Sequence, residues 1–336
     1  ATGIYRTWTS RGSLVAASQL SLCLLGAVGF LIAFESLSRR SLRFYSGDAS
    51  PKGSKRIQLS FPKGLVAALF CGSPILAGFL LPVTLFAYKT WNHGDERAME
   101  MLSELGKNSL ILATVAASLA VLLGLYLSHA RRVRPSLPIR MASRVSGLGY
   151  AIPGGVIAMG VLGAILHFEN GLNQVFESLF SWSPGFFFSG SIVALIVAYQ
   201  TRFLSVSLGV IQAGMTRIHP DLDSVSRTLG KSGFAILSKV HLPILKRTLL
   251  CAFMLVFVDV LKELPATLIL RPFNFDTLAV RVYQLASDER LDEASTAAIA
   301  IIATGIIPVI LLSRLMSRGQ LIETPFRQTQ GRRNHD

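Results

Sequence analysis

Charge is scarce in this chain, and acid is scarcer than base. Asp, Glu, Lys and Arg together make up 15% of its 336 residues, whereas a soluble domain holds about 25%. With 51% hydrophobic residues gathered into long runs and a mean hydropathy of +0.50, the composition points to lipid rather than to a large water-soluble core. Cysteine is nearly absent. Cys23, Cys71 and Cys251 each lie inside an apolar stretch with no CxxC neighbour, so they read as buried small hydrophobes rather than as a disulfide framework or metal ligands. The six histidines are scattered, with no HExxH and no i,i+4 pair, which leaves a zinc hydrolase without support. A GxSxG nucleophile turn is also lacking. Gly230-Lys231-Ser232 imitates the end of a phosphate-binding loop, but the earlier Gly that such a loop requires is Val225, so nucleotide binding is not expected. The chain is expected to hold no catalytic residue, no metal and no cofactor of its own.

Long apolar runs are what it does have. Seven stand out, at roughly 13–34, 64–88, 108–129, 145–167, 187–204, 248–270 and 294–316, each near the ~20 residues a helix needs to cross about 30 Å of hydrocarbon. The fifth is the weakest, with Gln200 and Arg202 at its end. The fold class expected is therefore all-α, a polytopic transmembrane helical bundle of about seven spans. Charge alternates across the connecting loops. Residues 35–63 carry seven bases against Glu35 and Asp48, residues 130–144 carry Arg131, Arg132, Arg134, Arg140 and Arg144 with no acid, and 205–247 is basic as well. By contrast 89–107 and 271–293 are acidic on balance, and 168–186 has Glu169 and Glu177 with no base. Basic loops belong on the cytoplasmic side, which puts the N-terminus outside and the C-terminus in the cytoplasm. The bases thus read as topology signals, and nucleic acid is not an expected partner. The chain begins Ala1-Thr2-Gly3 without Met, so a first span entering from outside is expected to follow an upstream segment.

Three features invite a functional reading. Within the basic loop 205–247, Pro220 followed by Asp221 and Asp223 predicts a helix start, with acids at the positive end of the dipole. Gly230 permits a sharp turn, and Pro243 resets the chain before it re-enters the membrane. Leu229, Phe234, Ile236 and Leu237 are apolar in a water-facing loop, which suits either a protein contact or an ordinary amphipathic surface helix. Lys262 and Glu263 lie deep in an apolar run, with Asp259 at pairing distance from Lys262 and Pro265 just beyond. Such charges are costly in a membrane, and two readings stand: a kinked polar helix lining a substrate route, or a structural intrahelical pair. Ala151-Ile152-Pro153-Gly154-Gly155 with Gly160, Gly163 and Ala164 forms a small-residue face that serves either a moving gate or static packing. Phe176, Phe180, Trp182, Phe186, Phe187 and Phe188 read as an interfacial aromatic belt or as a contact for an outer partner.

Three stretches carry a family resemblance. Ser224-Val225-Ser226-Arg227-Thr228-Leu229-Gly230, nine further residues, then Val240-His241-Leu242-Pro243 resembles the cytoplasmic "EAA" loop of type I ABC importer permeases. The Glu-Ala-Ala of that motif is replaced here by Ser224-Val225-Ser226, with Asp223 one residue early. Lys262-Glu263-Leu264-Pro265-Ala266-Thr267, then Leu270-Arg271-Pro272 and Phe275-Asp276-Thr277-Leu278-Ala279, is similar to a run in the second half of iron(III)-type permeases, and Thr2-Gly3-Ile4-Tyr5-Arg6-Thr7-Trp8 resembles the segment before the last span of their first half. The resemblance implies a division into 1–45 (last span of a first half), 46–62 (cytoplasmic linker), 63–318 (a second half with its coupling loop at 205–247) and 319–336 (basic tail). It further implies that Asp223, Ser224, Arg227, Leu229, Gly230, Phe234, Leu242 and Pro243 dock an ATPase subunit, with Asp259, Lys262, Glu263 and Pro265 as the candidate substrate pathway. The partners implied are an ABC ATPase dimer, a periplasmic solute-binding protein, the first permease half and the lipid bilayer. Ferric iron is the implied cargo, with thiamine, phosphonate or another small solute as the alternative. A multi-span membrane enzyme or sensor is the rival class.

Overall fold

The computed structural model describes residues 2–39, 59–93, 96–133, 135–183 and 185–320. Most of the proposed 46–62 linker and nearly all of the 319–336 tail lie outside the described residues. Among the described residues the secondary structure is helical throughout.

A short amphipathic helix α1 (Thr2–Arg11) leads into α2 (Leu14–Arg39). Helix α3 (Phe61–Ile75) continues through a π turn at Leu76–Leu80 into α4 (Leu81–His93). Next come α5 (Glu96–Val133), α6 (Leu137–Leu148), α7 (Gly154–Phe180) and α8 (Ile192–Met215). The connecting segment holds α9 (Pro220–Thr228) and α10 (Gly233–Ile236), followed by a π turn at Leu237–His241. Helix α11 (Leu242–Leu261) breaks before α12 (Pro265–Leu270), and α13 (Leu278–Ser287) and α14 (Leu291–Gln320) complete the chain.

Six of these stretches are long and apolar enough to cross a bilayer: Leu14–Glu35, Phe61–Asn92, Leu102–Val133, Gly154–Phe180, Ile192–Met215 and Leu291–Leu311. The other expected run, 248–270, is instead two helices. The α11 ladder stops at Leu261, Lys262 and Glu263 occupy the break, and Pro265, which has no N–H to give, starts α12. Lys246, Arg247 and Asp259 also keep α11 too charged to count with the other six.

Two further spans are displaced along the sequence. The fourth, expected at 145–167, is α7 at Gly154–Phe180. A 3-10 turn at Gly149–Ala151 and the Pro153 N-cap separate it from α6. Its far end runs past Glu169 because that carboxylate turns inward and accepts the backbone N–H of Ser189 at 3.1 Å and that of Phe188. The fifth, expected at 187–204, is α8, which begins after the Ser191 cap and continues to Met215. Gln200 and Arg202, read as its polar end, sit in its middle. Gln200 donates to the Ala116 carbonyl at 2.9 Å, and Arg202 faces Glu263.

The core lies where α5, α7, α8 and α11 meet. Ala113, Ala116, Ala117 and Ala120 of α5 face Ala194, Leu195, Ala198 and Tyr199 of α8, with Val256 and Val260 of α11 and Ala158 and Leu162 of α7 alongside. Alanine at these positions lets helix axes approach closely, the packing that replaces hydrophobic drive in lipid. The α3–α4 stretch buries none of its span and keeps its apolar side chains on the surface, as a lipid-facing helix does. It reaches α14 through Lys89–Asp292 at 2.6 Å and Thr90–Ser295 at 2.9 Å.

Candidate functional site

Two charged clusters organise the molecule. The first is the segment between α8 and α11. Helix α9 starts as its sequence dictates: Pro220 takes the first turn, Asp221 and Asp223 follow, and the His219 ring accepts the Asp221 N–H at 3.3 Å. It ends at Gly230, whose φ of +72° suits glycine. Lys231 N–H reaches back to the Ser226 carbonyl at 3.0 Å and Gly230 N–H to that of Arg227 at 2.9 Å, the paired closure of a Schellman turn. Ser232 then caps α10.

Helix α9 is held from beneath by one carboxylate. Asp223 accepts Arg132 Nε at 2.6 Å on one oxygen and His241 Nε2 at 2.8 Å on the other. Arg132 also donates to the carbonyls of Met215 (2.7 Å), Ile218 (3.0 Å) and His219 (3.3 Å), closing the free end of α8. His241 is fully buried. Because Asp223 can only accept, His241 Nε2 carries a proton, and His241 Nδ1 shares a hydrogen bond with His129 Nδ1, 3.2 Å away. Burial works against the charge on Asp223, but the hydrogen bonds from Arg132 and His241 outweigh it and hold the carboxyl below its ordinary range.

The eight residues expected to dock a partner therefore divide. Asp223 points into the protein, where it anchors the loop. Ser224, Arg227, Leu229, Gly230, Phe234, Leu242 and Pro243 are exposed, Leu229 at 72% and Phe234 at 78%. Val225, exposed at 56%, joins their apolar face, whereas Ile236 is buried beneath it. Sequence reasoning missed Arg132, His129 and His241 as the loop's supports. Arg132 was visible as a base in an acid-free loop but read only as a topology signal, and His241 stood inside the quoted motif.

The second cluster is the break between α11 and α12. Asp259 and Lys262 pair at 2.8 Å, as their spacing predicts, with Lys262 largely exposed. Glu263 turns the other way. It is 6% exposed, and its Oε1 accepts Arg202 Nη1 at 3.2 Å and the Ala266 N–H at 3.3 Å. Its backbone carbonyl accepts Thr267 Oγ1 at 2.6 Å, and Thr267 in turn contacts the buried Tyr199 hydroxyl at 2.6 Å. Pro265 opens α12. The four candidate pathway residues thus form two sites, and Arg202 is the member the sequence did not supply. Just beyond α12, Arg271 and Asp276 form an ion pair that closes the turn, and Asn108 of α5 donates to the Asp276 carbonyl at 3.3 Å.

Comparison with known proteins matches residues 120–321 to the family described as binding-protein-dependent transport system inner membrane component. The chain belongs to this family. The matched region contains both clusters. An Fe(3+)-transport system permease protein, FbpB 2 of Haemophilus influenzae, is 28% identical over 314 residues, covering 91% of this chain and 57% of that protein. The chain thus spans little more than half of that relative's length. A 2-aminoethylphosphonate transport system permease protein, PhnV of Salmonella typhimurium, is 24% identical over 210 residues, covering 62% of this chain and 73% of its own length. Among solved structures, a chain of a bacterial alginate ABC transporter in complex with an alginate pentasaccharide-bound periplasmic protein superposes with a TM-score of 0.54 at 14% identity, over 76% of this chain and 93% of that one. The fold is that of a type I ABC importer permease.

Proposed function

We propose that this permease chain is the membrane-spanning subunit of an ATP-driven, binding-protein-dependent importer and that its cargo is ferric iron. The observation that carries the reading is the α9–Gly230–α10 elbow: its polar side is fixed inward through Asp223, while Val225, Leu229 and Phe234 are exposed, with nothing among the described residues to cover them. Exposed apolar side chains on a rigid, internally anchored elbow suit a socket for another subunit better than a lipid contact. In this reading an ABC ATPase dimer seats on the elbow and hydrolyses ATP, and the chain itself hydrolyses nothing and holds no cofactor. The elbow, Arg131, Arg132, Arg140 and Arg144 share the cytoplasmic side with the C-terminus. Cargo arrives at the opposite face on a periplasmic binding protein, and α1–α2 close a first permease half.

Iron rests on the named cargo of the Haemophilus influenzae relative, which matches over most of this chain. A phosphonate is the second reading, because the Salmonella typhimurium relative is named for one. The test of the class is retention of the ATPase subunit by the purified permease. Wild type is expected to hold it, and the doubly substituted Leu229→Asp, Phe234→Asp protein to lose it while remaining folded, since both side chains are already in water. Equal retention by the two proteins refutes the socket. The test of cargo is uptake of radioactive ferric iron against 2-aminoethylphosphonate in a strain lacking the gene.

A further inference from the structure

Arg202 stands at the eleventh of the twenty-four residues of α8, the middle of a helix long and apolar enough to cross a bilayer, where an ion is costly unless paired or in use. Its partner Glu263 sits in the break of a second helix. A third element is pressed against the pair. A Cβ on Gly154 would lie 2.1 Å from Arg202 Nη1 and 2.3 Å from Glu263 Oε1, and one on Gly149 would lie 1.9 Å from the Thr201 carbonyl oxygen. The turn before α7, the middle of α8 and the α11–α12 break therefore meet at one point, with no room for a methyl group.

The pair is also incompletely satisfied. Arg202 Nε is buried with no partner among the described residues, and the guanidinium offers Glu263 a single nitrogen at 3.2 Å rather than a two-bond fork. Apolar residues of similar volume generally hold such a place as well as a buried ion pair does, so a pair with an unused donor makes poor sense as a source of stability. It does make sense as a contact that opens and closes. We propose that Arg202 and Glu263 form an interlock of the transport cycle. Their pairing holds α7, α8 and α12 together in the arrangement described here, and separation of the two charges, with Arg202 Nε and the freed carboxylate exposed to a water-filled route, accompanies opening. The role in transport rests on the importer reading above, whereas the opening itself does not.

Two measurements test it. In the full-length permease reconstituted with its ATPase in liposomes, Arg202→Met and Glu263→Gln are expected to raise ATP hydrolysis without binding protein by roughly fivefold or more, the scale of a modest coupling between sites. The charge-exchanged Arg202→Glu, Glu263→Arg protein is expected to return toward wild type, which a loss of packing alone would not allow. The second measurement needs no partner. With Cys23, Cys71 and Cys251 replaced by Ser and Ala266→Cys introduced beside the pair, a membrane-impermeant thiol reagent is expected to label the Glu263→Gln protein at least about fivefold faster than its parent. Wild-type labelling rates in the Glu263→Gln protein, or unchanged basal hydrolysis in both single variants, overturn the interlock. A wild-type complex that does not hydrolyse ATP overturns the importer reading instead, and leaves the labelling comparison to decide the interlock.

Discussion

Replacing Asp223 by Asn tests the physical claim on which the elbow depends. The carboxylate is 13% exposed and Arg132 17% exposed, so the pair is screened far less than a surface bridge. Asp223 accepts from two donors, Arg132 Nε and His241 Nε2. An Asn side chain of the same shape can accept one of them with its oxygen but turns an NH2 toward the other. A hydrogen bond to a charged group contributes about 1.5–3 kcal/mol. The arginine keeps its three carbonyl contacts and His241 can change tautomer, so the cost falls on α9 rather than on the whole bundle. Local opening of α9 should thus become easier by about 1.5–3 kcal/mol, which is roughly 10- to 100-fold in hydrogen-exchange protection. Amide exchange across residues 220–228, with the α5 and α8 cores as internal controls, reads this directly. A companion Arg132→Met and the double variant should show coupling of at least about 1 kcal/mol, since both side chains act on one contact. Protection in the Asp223→Asn protein within threefold of wild type, or strict additivity in the double variant, refutes the anchoring argument. It would mean that α9 is held by contacts other than the Asp223 carboxylate.

The same carboxylate sets a pH dependence. Its folded pKa lies below the ordinary Asp value of about 3.9, so its contribution is complete above that value and is lost as pH falls through the folded pKa. Protection of α9, corrected for intrinsic exchange, should drop below about pH 4 in wild type and change less in Asp223→Asn, which keeps both histidines and Arg132. At Gly230 a side chain would meet no atom within 4 Å, so only the backbone at φ +72° objects. Gly230→Ala should cost about 1–2 kcal/mol of elbow stability by exchange, and Gly230→Asn clearly less. Gly154→Ala should be far more damaging, since its methyl would collide with Arg202 and Glu263. A lowered thermal midpoint of the purified permease, partly recovered in Gly154→Ala, Arg202→Met, would show that the clash is with the guanidinium.

Much of this was legible in the sequence, for identifiable reasons. Apolar run length located the spans, because crossing hydrocarbon is a one-dimensional requirement. The helix-turn-helix of the elbow was legible because Pro220, the early acids and Gly230 each have a local, short-range preference. The Asp259–Lys262 pair was legible because it spans one helical turn. What failed was every judgement in which charge was taken to end a helix. Glu169 and Arg202 were read as belonging to loop or span end, and both lie inside helices because a partner distant in sequence neutralises them: the 188–189 backbone for one, Glu263 for the other. Asp223 was read as a contact for another protein for the matching reason. Its supports, Arg132 and His241, lie 91 and 18 residues away, and no local pattern announces them.

Both charged clusters touch α8 and the chain that enters α11, the first of them through Arg132 of α5, and that connects them mechanically. Arg132 fastens Asp223 to the last carbonyls of α8, and His241 fastens it to the start of α11. The two helices are locked side by side near that end, where a Cβ on Gly214 would lie 2.6 Å from Thr248 Cγ2. From this level Arg202 lies twelve residues along α8 and Glu263 fifteen residues beyond Thr248 along α11 and its break, about 18 Å and about 22 Å of helical rise. A displacement of the elbow can therefore act on both members of the deep ion pair through rigid rods, without any intervening chain of side chains. It also acts on them unequally, because α8 is unbroken past Arg202 whereas α11 ends two residues before Glu263. A rod that ends at a hinge and a rod that passes it move differently under the same push, and the contact between them separates first. If that is the working principle, lengthening α8 or α11 by one residue between the elbow and the pair should uncouple ATP hydrolysis from transport while leaving ATPase retention intact. An insertion in α7, which the elbow does not grip, should change transport without raising basal hydrolysis. Equal effects from insertions in all three helices would show that the coupling runs through the bundle as a whole.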